Sequence, residues 1–177
     1  MSRKHRIEIL ARGVCVVRGQ ILLCQTRGAG IAYLPGGHVE FRETAQAALE
    51  REIREELGRP ARAGRFLGCA EHSFRQRGRW HAEINLVFEL RIPGLTPATP
   101  PVPAEDWLAF HWCPLASLRR AHLEPAVLVR HLPRWFASPG GWAATKDGWT
   151  KFAPCMRTKI GGNGVPPSNA RTSTGHG

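Results

Sequence analysis

Residues 37–58 read GHVEFRETAQAALEREIREELG, a glycine turn followed by a strongly acidic helix. Within that helix Glu52, Glu55 and Glu56 are spaced i, i+3 and i+4, so their carboxylates lie on one face. Like charges at these spacings destabilise an isolated helix by about 0.2–0.5 kcal/mol per pair, and a divalent cation would offset the repulsion. Carboxylate oxygens are ligands that Mg²⁺ and Mn²⁺ prefer. The stretch therefore predicts a helix that presents a metal site.

The same helix carries the signals of a packed element with defined ends. An apolar stripe repeats every fourth residue, at Leu49, Ile53 and Leu57. Thr44 or Glu43 begins the helix, and Gly58 ends it as a C-terminal glycine. Arg51 stands four residues before Glu55 and can hold that carboxylate in place.

A solvated amphipathic helix would explain the charges alone, but these residues also match the Nudix box. That pattern is Gly-x5-Glu-x7-Arg-Glu-hydrophobic-x-Glu-Glu-x-Gly-hydrophobic, and the chain fits it from Gly37 to Gly58. Arg59 is the one departure, because the last position of the pattern is apolar; it bears on local packing and not on the reaction. Residues 33–36 also resemble the strand-to-loop transition of MutT-like members. The chain thus resembles a Nudix hydrolase.

The order of the predicted elements and the resemblance both imply an α/β fold, a Nudix-type α/β/α sandwich with a mixed β-sheet. We expect a hairpin over residues 14–24 and strands over 31–34, 63–72, 80–91 and 107–112. A basic turn is expected over 75–79 and a proline-rich loop over 93–103. A helix is expected over 124–132, and Pro133 kinks or ends it. The Nudix hydrolase domain is expected over residues 1–137. The C-terminal tail, 138–177, is expected to be partly disordered, since 160–177 have hardly any apolar residues.

The resemblance also implies which residues carry the chemistry. The implied metal ligands are the backbone carbonyl of Gly36 and the carboxylates of Glu52, Glu55 and Glu56. The implied cofactor is Mg²⁺ or Mn²⁺. One of these glutamates, with Glu52 the first choice, instead orients or deprotonates the attacking water. Glu43 and Arg51 complete the predicted catalytic set by fixing the ligands, a role typically worth about 10–100-fold in metal affinity or activity.

The predicted reaction is cleavage of a phosphoanhydride bond in a nucleoside diphosphate-linked or nucleoside di- or triphosphate substrate. Four residues are predicted to bind that substrate: Arg27, Gly37, Phe74 and Glu83. Glu83 is also the first choice for a further metal ligand or base, and Glu71 the second. The polar face of strand 80–91 is equally explained by exposure to solvent. Phe41 and Trp80 could stack on a base, although core packing explains each of them as well.

The formal net charge of +11 raises the local concentration of polyanions, which include free nucleotides and nucleic acid. An RNA 5′-pyrophosphohydrolase or decapping-type enzyme is therefore one alternative function. Nucleic acid is not the favoured partner, because the basic residues are dispersed along the chain. A catalytically silent Nudix-fold binding module is the other alternative, and the presence of every box glutamate argues against it. The sequence also leaves a homodimer open.

The five cysteines are scattered, with neither a Cys-x-x-Cys pair nor a zinc-binding spacing. An odd number outside any such framework predicts reduced thiols and a cytoplasmic protein. The N-terminus does not read as a signal peptide, because Glu8 and Arg12 interrupt its apolar run. No stretch approaches the roughly 20 apolar residues of a membrane span.

Overall fold

The computed structural model describes residues 6–99 and 101–144. In chain order its strands are β1 (Ile7–Val14), β2 (Val16–Val17), β3 (Gln20–Thr26), β4 (Ala32–Tyr33), β5 (Arg62–Gln76), β6 (Arg79–Arg91), β7 (Leu108–Pro114), β8 (Leu123–Glu124) and β9 (Gly141–Ala144). The helices are α1 (Ala45–Leu57) and α2 (Val127–Ala137), and a 3₁₀ turn covers Leu115–Ser117. Within the described ranges, no helix is long and apolar enough to cross a membrane.

The strands form two sheets, and each contains parallel and antiparallel pairs. One sheet has the order β1-β6-β5-β9, in which β6 is parallel to β1 and antiparallel to β5, and β9 is parallel to β5. The other has the order β2-β3-β4-β8, with β7 antiparallel to β3 and β8 parallel to β4. The predicted α/β fold with mixed pairing is confirmed, and its strands divide between two sheets.

Helix α1 begins and ends where its own sequence predicts. The hydroxyl of Thr44 accepts a hydrogen bond from the backbone N–H of Ala47 at 3.1 Å, so Thr44 and not Glu43 is the N-terminal cap. Gly58 adopts the left-handed conformation with φ of 62° and donates its N–H to the carbonyl of Arg54. Leu49 and Ile53 are fully buried. Their packing fixes the rotation of the helix and therefore the direction of its glutamates.

The core consists of two clusters that flank the four-stranded sheet. Leu49 of α1 belongs to one cluster, and Leu128 of α2 belongs to the other. Val87 and Phe88 are neighbours on β6, so their side chains point to opposite faces of the sheet. They belong to different clusters. The two helices therefore cover opposite faces, which gives the layered arrangement that the sequence predicted.

Helix α2 differs from its prediction, because it extends through Pro133 to Ala137. The cause is Trp135, whose side chain is 3% exposed and packs against Gly68 and Gly141. A buried tryptophan removes about 150–250 Å² from water, which is worth about 4–6 kcal/mol at about 25 cal/mol per Å². A proline inside a helix costs about 3 kcal/mol. Packing of the last turn therefore outweighs the proline. Of the two effects predicted for Pro133, the end of the helix is wrong, and the helix begins at Val127 and not at 124.

The hairpin between β5 and β6 has a shorter turn than predicted. Arg75 and Gln76 still belong to β5, and only Arg77 and Gly78 form the turn, with φ of 47° and 77°. Two successive positive φ values match the right-handed twist of a hairpin.

Beyond Ser138, where the predicted tail begins, β9 pairs with Gly68 to Glu71 of β5. The predicted disorder of 160–177 lies outside the described residues.

Candidate active site

A pocket with a cavity volume of about 140 Å³ opens to solvent where α1 approaches the second sheet. Four parts of the chain form it: the loop before α1, the acidic face of α1, the adjoining ends of β3, β4 and β7, and the turn before β7. The lining residues are Cys24, Gln25, Thr26, Tyr33, Gly36, Gly37, His38, Glu40, Arg51, Glu52, Glu55, Glu56, Glu105, Trp107 and Leu108. The pocket thus gathers the predicted ligands, Arg51 and Gly37.

Neighbouring atoms come so close to the loop that only glycine fits at positions 36 and 37 without displacing them. Gly36 has φ of 118°, and a side chain there would overlap the carbonyl oxygen of Ala11 on β1. A Cβ on Gly37 would lie 2.5 Å from Cδ and Oε2 of Glu52. The absence of a side chain at Gly37 therefore lets the Glu52 carboxylate rest directly against the loop backbone.

Arg51 links the glutamates to one another and to the loop. Its Nε and Nη2 donate to the two oxygens of Glu43 at 3.1 and 2.7 Å, a bidentate pair that holds the pKa of Glu43 below its usual value. Nη2 also donates to the carbonyl of His38 at 3.0 Å. Nη1 donates to Glu52 at 2.9 Å and to Glu55 at 3.5 Å. The predicted contact with Glu55 is present, and the shorter contacts fix Glu43 and Glu52.

Glu56 is the most deeply buried of the three box glutamates, with 8% of the residue exposed. Burial raises its pKa to about 8, against the opposing effect of Arg12 and of the N–H that Gly36 donates to it. Its Oε2 is buried and has no hydrogen-bond partner among the described residues. Buried polar atoms without a partner are rare and call for an explanation, such as an ion.

Arg12 of β1 is a further residue of the site, and it is only 3% exposed. Its Nη1 donates to the carbonyls of Gly36 at 2.5 Å and Leu34 at 3.2 Å, and its Nε donates to Oδ1 of Asn85 at 3.3 Å. The sequence pattern did not assign it to the site. The available signal was an arginine among the otherwise apolar residues 9–14 of β1.

The donor set fits a divalent cation in its chemistry. It offers hard carboxylate oxygens, a buried unpartnered oxygen on Glu56, and the carbonyl of Gly36, which keeps a second lone pair beside its bond to Arg12. Within residues 6–99 and 101–144, no group of three or more His, Cys, Asp or Glu side chains is gathered closely enough to hold a metal ion. The reason is visible in the contacts of Arg51, which draws Glu52 and Glu55 toward itself.

The structure does not bring the other predicted substrate-binding residues to the pocket lining. Phe74 is 8% exposed and stacks between the rings of His72 and His81, each with its centroid 5.1 Å away. Arg27 is directed to the backbone, with its Nε donating to the carbonyl of Leu108 at 3.1 Å. Glu83 adjoins the site through Asn85, whose Nδ2 donates to it at 3.4 Å, and burial raises the pKa of Glu83.

Glu71, the second choice for a ligand or base, accepts a hydrogen bond from Nε1 of Trp142 at 2.9 Å. It lies outside the pocket lining, and so do Phe41 and Trp80. Phe41 is fully exposed to solvent, and Trp80 is 42% exposed. The arginines of the β5–β6 hairpin tip, Arg75, Arg77 and Arg79, are exposed and also lie outside the lining.

The turn at residues 104–108 brings two residues to the pocket that the sequence analysis missed, Glu105 and Trp107. The N–H of Ala104 donates to the carbonyl of Glu56 at 2.7 Å, which fastens the turn to α1. The turn follows the predicted surface loop 93–103, and no motif marks it. Only the folded chain places it beside the acidic helix.

A family model and several solved structures relate the chain to known proteins. A family model described as the NUDIX domain matches residues 8–141. The solution structure of the E. coli ORF135 protein is 27% identical, covers 75% of this chain and 91% of that chain, and has a TM-score of 0.52. The MutT NUDIX hydrolase from Burkholderia pseudomallei is 26% identical, covers 67% of this chain and 97% of that chain, and has a TM-score of 0.51.

The MutT protein from Methanosarcina mazei Go1 is 20% identical, with coverage of 77% and 97% and a TM-score of 0.58, a similarity that concerns the fold. No curated protein matches the chain.

Proposed function

Because the chain belongs to the Nudix family, we propose that it is a cation-dependent hydrolase that cleaves a phosphoanhydride bond in a nucleotide substrate. Its substrates would be nucleoside di- or triphosphates or nucleoside diphosphate-linked compounds. The observation that carries the proposal is the pocket itself, which Glu52, Glu55 and Glu56 all line and in which one buried oxygen of Glu56 lacks a partner among the described residues.

The residues that would hold the cation, Mg²⁺ or Mn²⁺, are Glu52, Glu55, Glu56 and the carbonyl of Gly36. When bound there, the cation would supply positive charge that screens the anionic phosphate oxygens from an attacking nucleophile. Arg51 positions two of these groups, Glu52 and Glu55, and it also holds the loop through the carbonyl of His38. Arg12 positions the Gly36 carbonyl from the other side.

The proton of the attacking water needs an acceptor, and two carboxylates in the pocket qualify. Glu52 is the choice that the sequence predicts. Glu105 lines the same pocket from the turn that Ala104 fastens to α1. The two roles differ in their kinetic consequences: loss of a cation ligand raises the cation concentration that is needed, whereas loss of the base lowers kcat at saturating cation.

The direct test is a screen with the full chain and Mg²⁺ or Mn²⁺. It covers nucleoside di- and triphosphates, ADP-ribose, dinucleotides and 5′-triphosphate RNA, and it identifies the phosphates released. Glu52→Gln and Glu56→Gln should each lower turnover by at least about 100-fold.

The matched control is Glu50→Gln, because Glu50 lies on the same helix but outside the pocket lining. Its Oε1 accepts from the N–H of Ala63 at 3.0 Å, a bond that a glutamine oxygen can keep. If the Glu52 and Glu56 variants retained the wild-type activity on every substrate, the assignment of the site would be wrong. If 5′-triphosphate RNA were the preferred substrate and its turnover fell steeply with added salt, the RNA-directed alternative would replace the nucleotide.

We also propose a cytoplasmic location. Cys15, Cys24, Cys69 and Cys113, the cysteines within the described ranges, are all free and buried. Free thiols fit a reducing compartment.

A further inference from the structure

Glu52, Glu55 and Glu56 form the acidic wall of the pocket, and a second wall has a different chemistry. Gln25 and Thr26 at the end of β3 contribute neutral polar groups, and Trp107 and Leu108 contribute an aromatic and an aliphatic side chain. None of these four residues is charged, and none was assigned to the site by the sequence pattern. This wall is therefore suited to a part of the substrate other than its phosphates.

Trp107 is held firmly at this wall. Its carbonyl accepts the N–H of Arg27 at 2.9 Å, and the carbonyl of Leu108 accepts Nε of Arg27 at 3.1 Å. The N–H of Leu108 closes the turn by donating to the carbonyl of Glu105 at 3.0 Å. The Trp107 side chain is partly buried and packs against the core cluster that contains Leu49. A ring fixed in this way loses little conformational freedom when a ligand packs on it.

Among the described residues, Tyr33 and Trp107 are the aromatic side chains other than histidine that line the pocket. The guanidinium of Arg12 lies 6.0 Å from the centroid of the Tyr33 ring, so one face of that ring is already in contact with a cation. Phe74 is enclosed between two histidine rings. Trp107 is thus the aromatic surface in the pocket best placed to receive a flat ligand.

We propose that Trp107 forms the stacking surface for the base of the substrate, with Gln25 and Thr26 at the edge of that base. This inference rests on the proposed function, because it assumes that phosphates occupy the acidic wall. Stacking of a base on an aromatic side chain is tolerant of sequence, since every base has a π face. Trp107 would then favour substrates that carry a base over substrates without one, and Gln25 and Thr26 would discriminate between bases.

The test uses the full chain and compares Trp107→Leu with Trp107→Phe. Leucine keeps an apolar side chain against the core but cannot stack, whereas phenylalanine keeps an aromatic face. Two classes of probe are measured: the α,β-methylene analogues of ATP, GTP, CTP and UTP by equilibrium binding, and inorganic tripolyphosphate and methylenediphosphonate as ring-free counterparts. Hydrolysis of the natural nucleoside triphosphates and of tripolyphosphate is followed in parallel. Trp80→Leu is the matched control, because Trp80 is partly exposed but lies outside the pocket.

We expect Trp107→Leu to weaken binding of the tightest nucleotide analogue by about 5- to 100-fold. Binding of the ring-free phosphonate should change by less than about twofold, and Trp107→Phe and Trp80→Leu should stay close to the wild type. An equal loss for nucleotides and ring-free phosphates in Trp107→Leu, or no loss for either, would overturn the inference. Failure of the proposed function is distinguishable, because it would appear as absence of turnover in the wild type on every phosphoanhydride, whatever the binding results.

Discussion

Substitution of Gly37 by alanine should impair the site and spare the fold. The backbone of Gly37 lies outside the left-handed region, so alanine can adopt it without strain. The new Cβ would lie 2.5 Å from the Glu52 carboxylate, whereas ordinary contacts begin near 3.4 Å, so the carboxylate must move by about 1 Å. A displacement of about 1 Å in a positioned group can cost on the order of 100-fold in rate, which corresponds to about 2.7 kcal/mol in the activation free energy. Because Glu52 yields through a flexible side chain, the free energy of unfolding should change by no more than about 0.5–1 kcal/mol.

The assay is steady-state hydrolysis of the best substrate at saturating Mg²⁺, together with urea denaturation of the same samples. Gly30→Ala is the matched control, since a Cβ there would meet nothing within 4 Å. We expect Gly37→Ala to lower kcat/KM by about 100-fold and Gly30→Ala to leave it unchanged. If Gly37→Ala stayed within about threefold of the wild type while Glu52→Gln was inactive, the close approach between loop and carboxylate would not matter for the reaction, and our reasoning would be refuted.

Two further substitutions follow from contacts of the site, and a pH dependence follows from the burial of His72. Gly36→Ala should lower the free energy of unfolding in urea by about 1–3 kcal/mol, because φ of 118° is unfavourable for alanine and the methyl group meets the rigid carbonyl of Ala11; an unchanged midpoint would contradict this. Arg51→Lys should reduce kcat/KM by about 10–100-fold with little effect on folding, since an ammonium cannot pair bidentately with Glu43 while it also reaches the loop; full activity would show that the contacts of Arg51 are dispensable. Burial lowers the pKa of His72 from 6.5 to about 4, so the neutral ring is favoured in the fold, and the stability it contributes above its unfolded pKa is lost as the pH falls. Between about pH 7.5 and 5 that loss is about 2 kcal/mol. Because the raised pKa of Glu56 acts in the opposite direction over the same range, the quantity to measure is the difference in the free energy of unfolding between the wild type and His72→Phe, which should fall by about 2 kcal/mol from pH 7.5 to 5.

The parts of the molecule that could be predicted from the sequence are those fixed by local chemistry. Helix α1 is one, because its cap at Thr44, its stop at Gly58 and its apolar stripe all lie within a few residues of one another. The hairpin of β2 and β3 is another, with its turn at Arg18 and Gly19. Both patterns report on the backbone directly and need no knowledge of distant partners.

The rest depends on contacts between residues far apart in the chain. Arg12 reaches the carbonyl of Gly36, and Glu105 reaches the pocket, through the packing of sheets and turns, which no spacing in the sequence records. Helix α2 outlasts Pro133 because Trp135 packs against glycines on two different strands. Phe74 stacks between His72 of its own strand and His81, and only the pairing of β5 with β6 brings His81 beside it.

Arg12 also ties stability to function. It belongs to the first sheet, yet its guanidinium holds the carbonyls of Leu34 and Gly36, which follow directly after β4 of the second sheet. Exchange of a buried charge for an apolar side chain often stabilises a protein when its partners are also replaced, but backbone carbonyls cannot be replaced. The hydrogen bonds of Arg12 therefore connect the two sheets, and one of them also holds the Gly36 carbonyl at the pocket. A variant selected for higher stability would therefore have to keep Arg12, and stabilising substitutions are expected elsewhere in the chain.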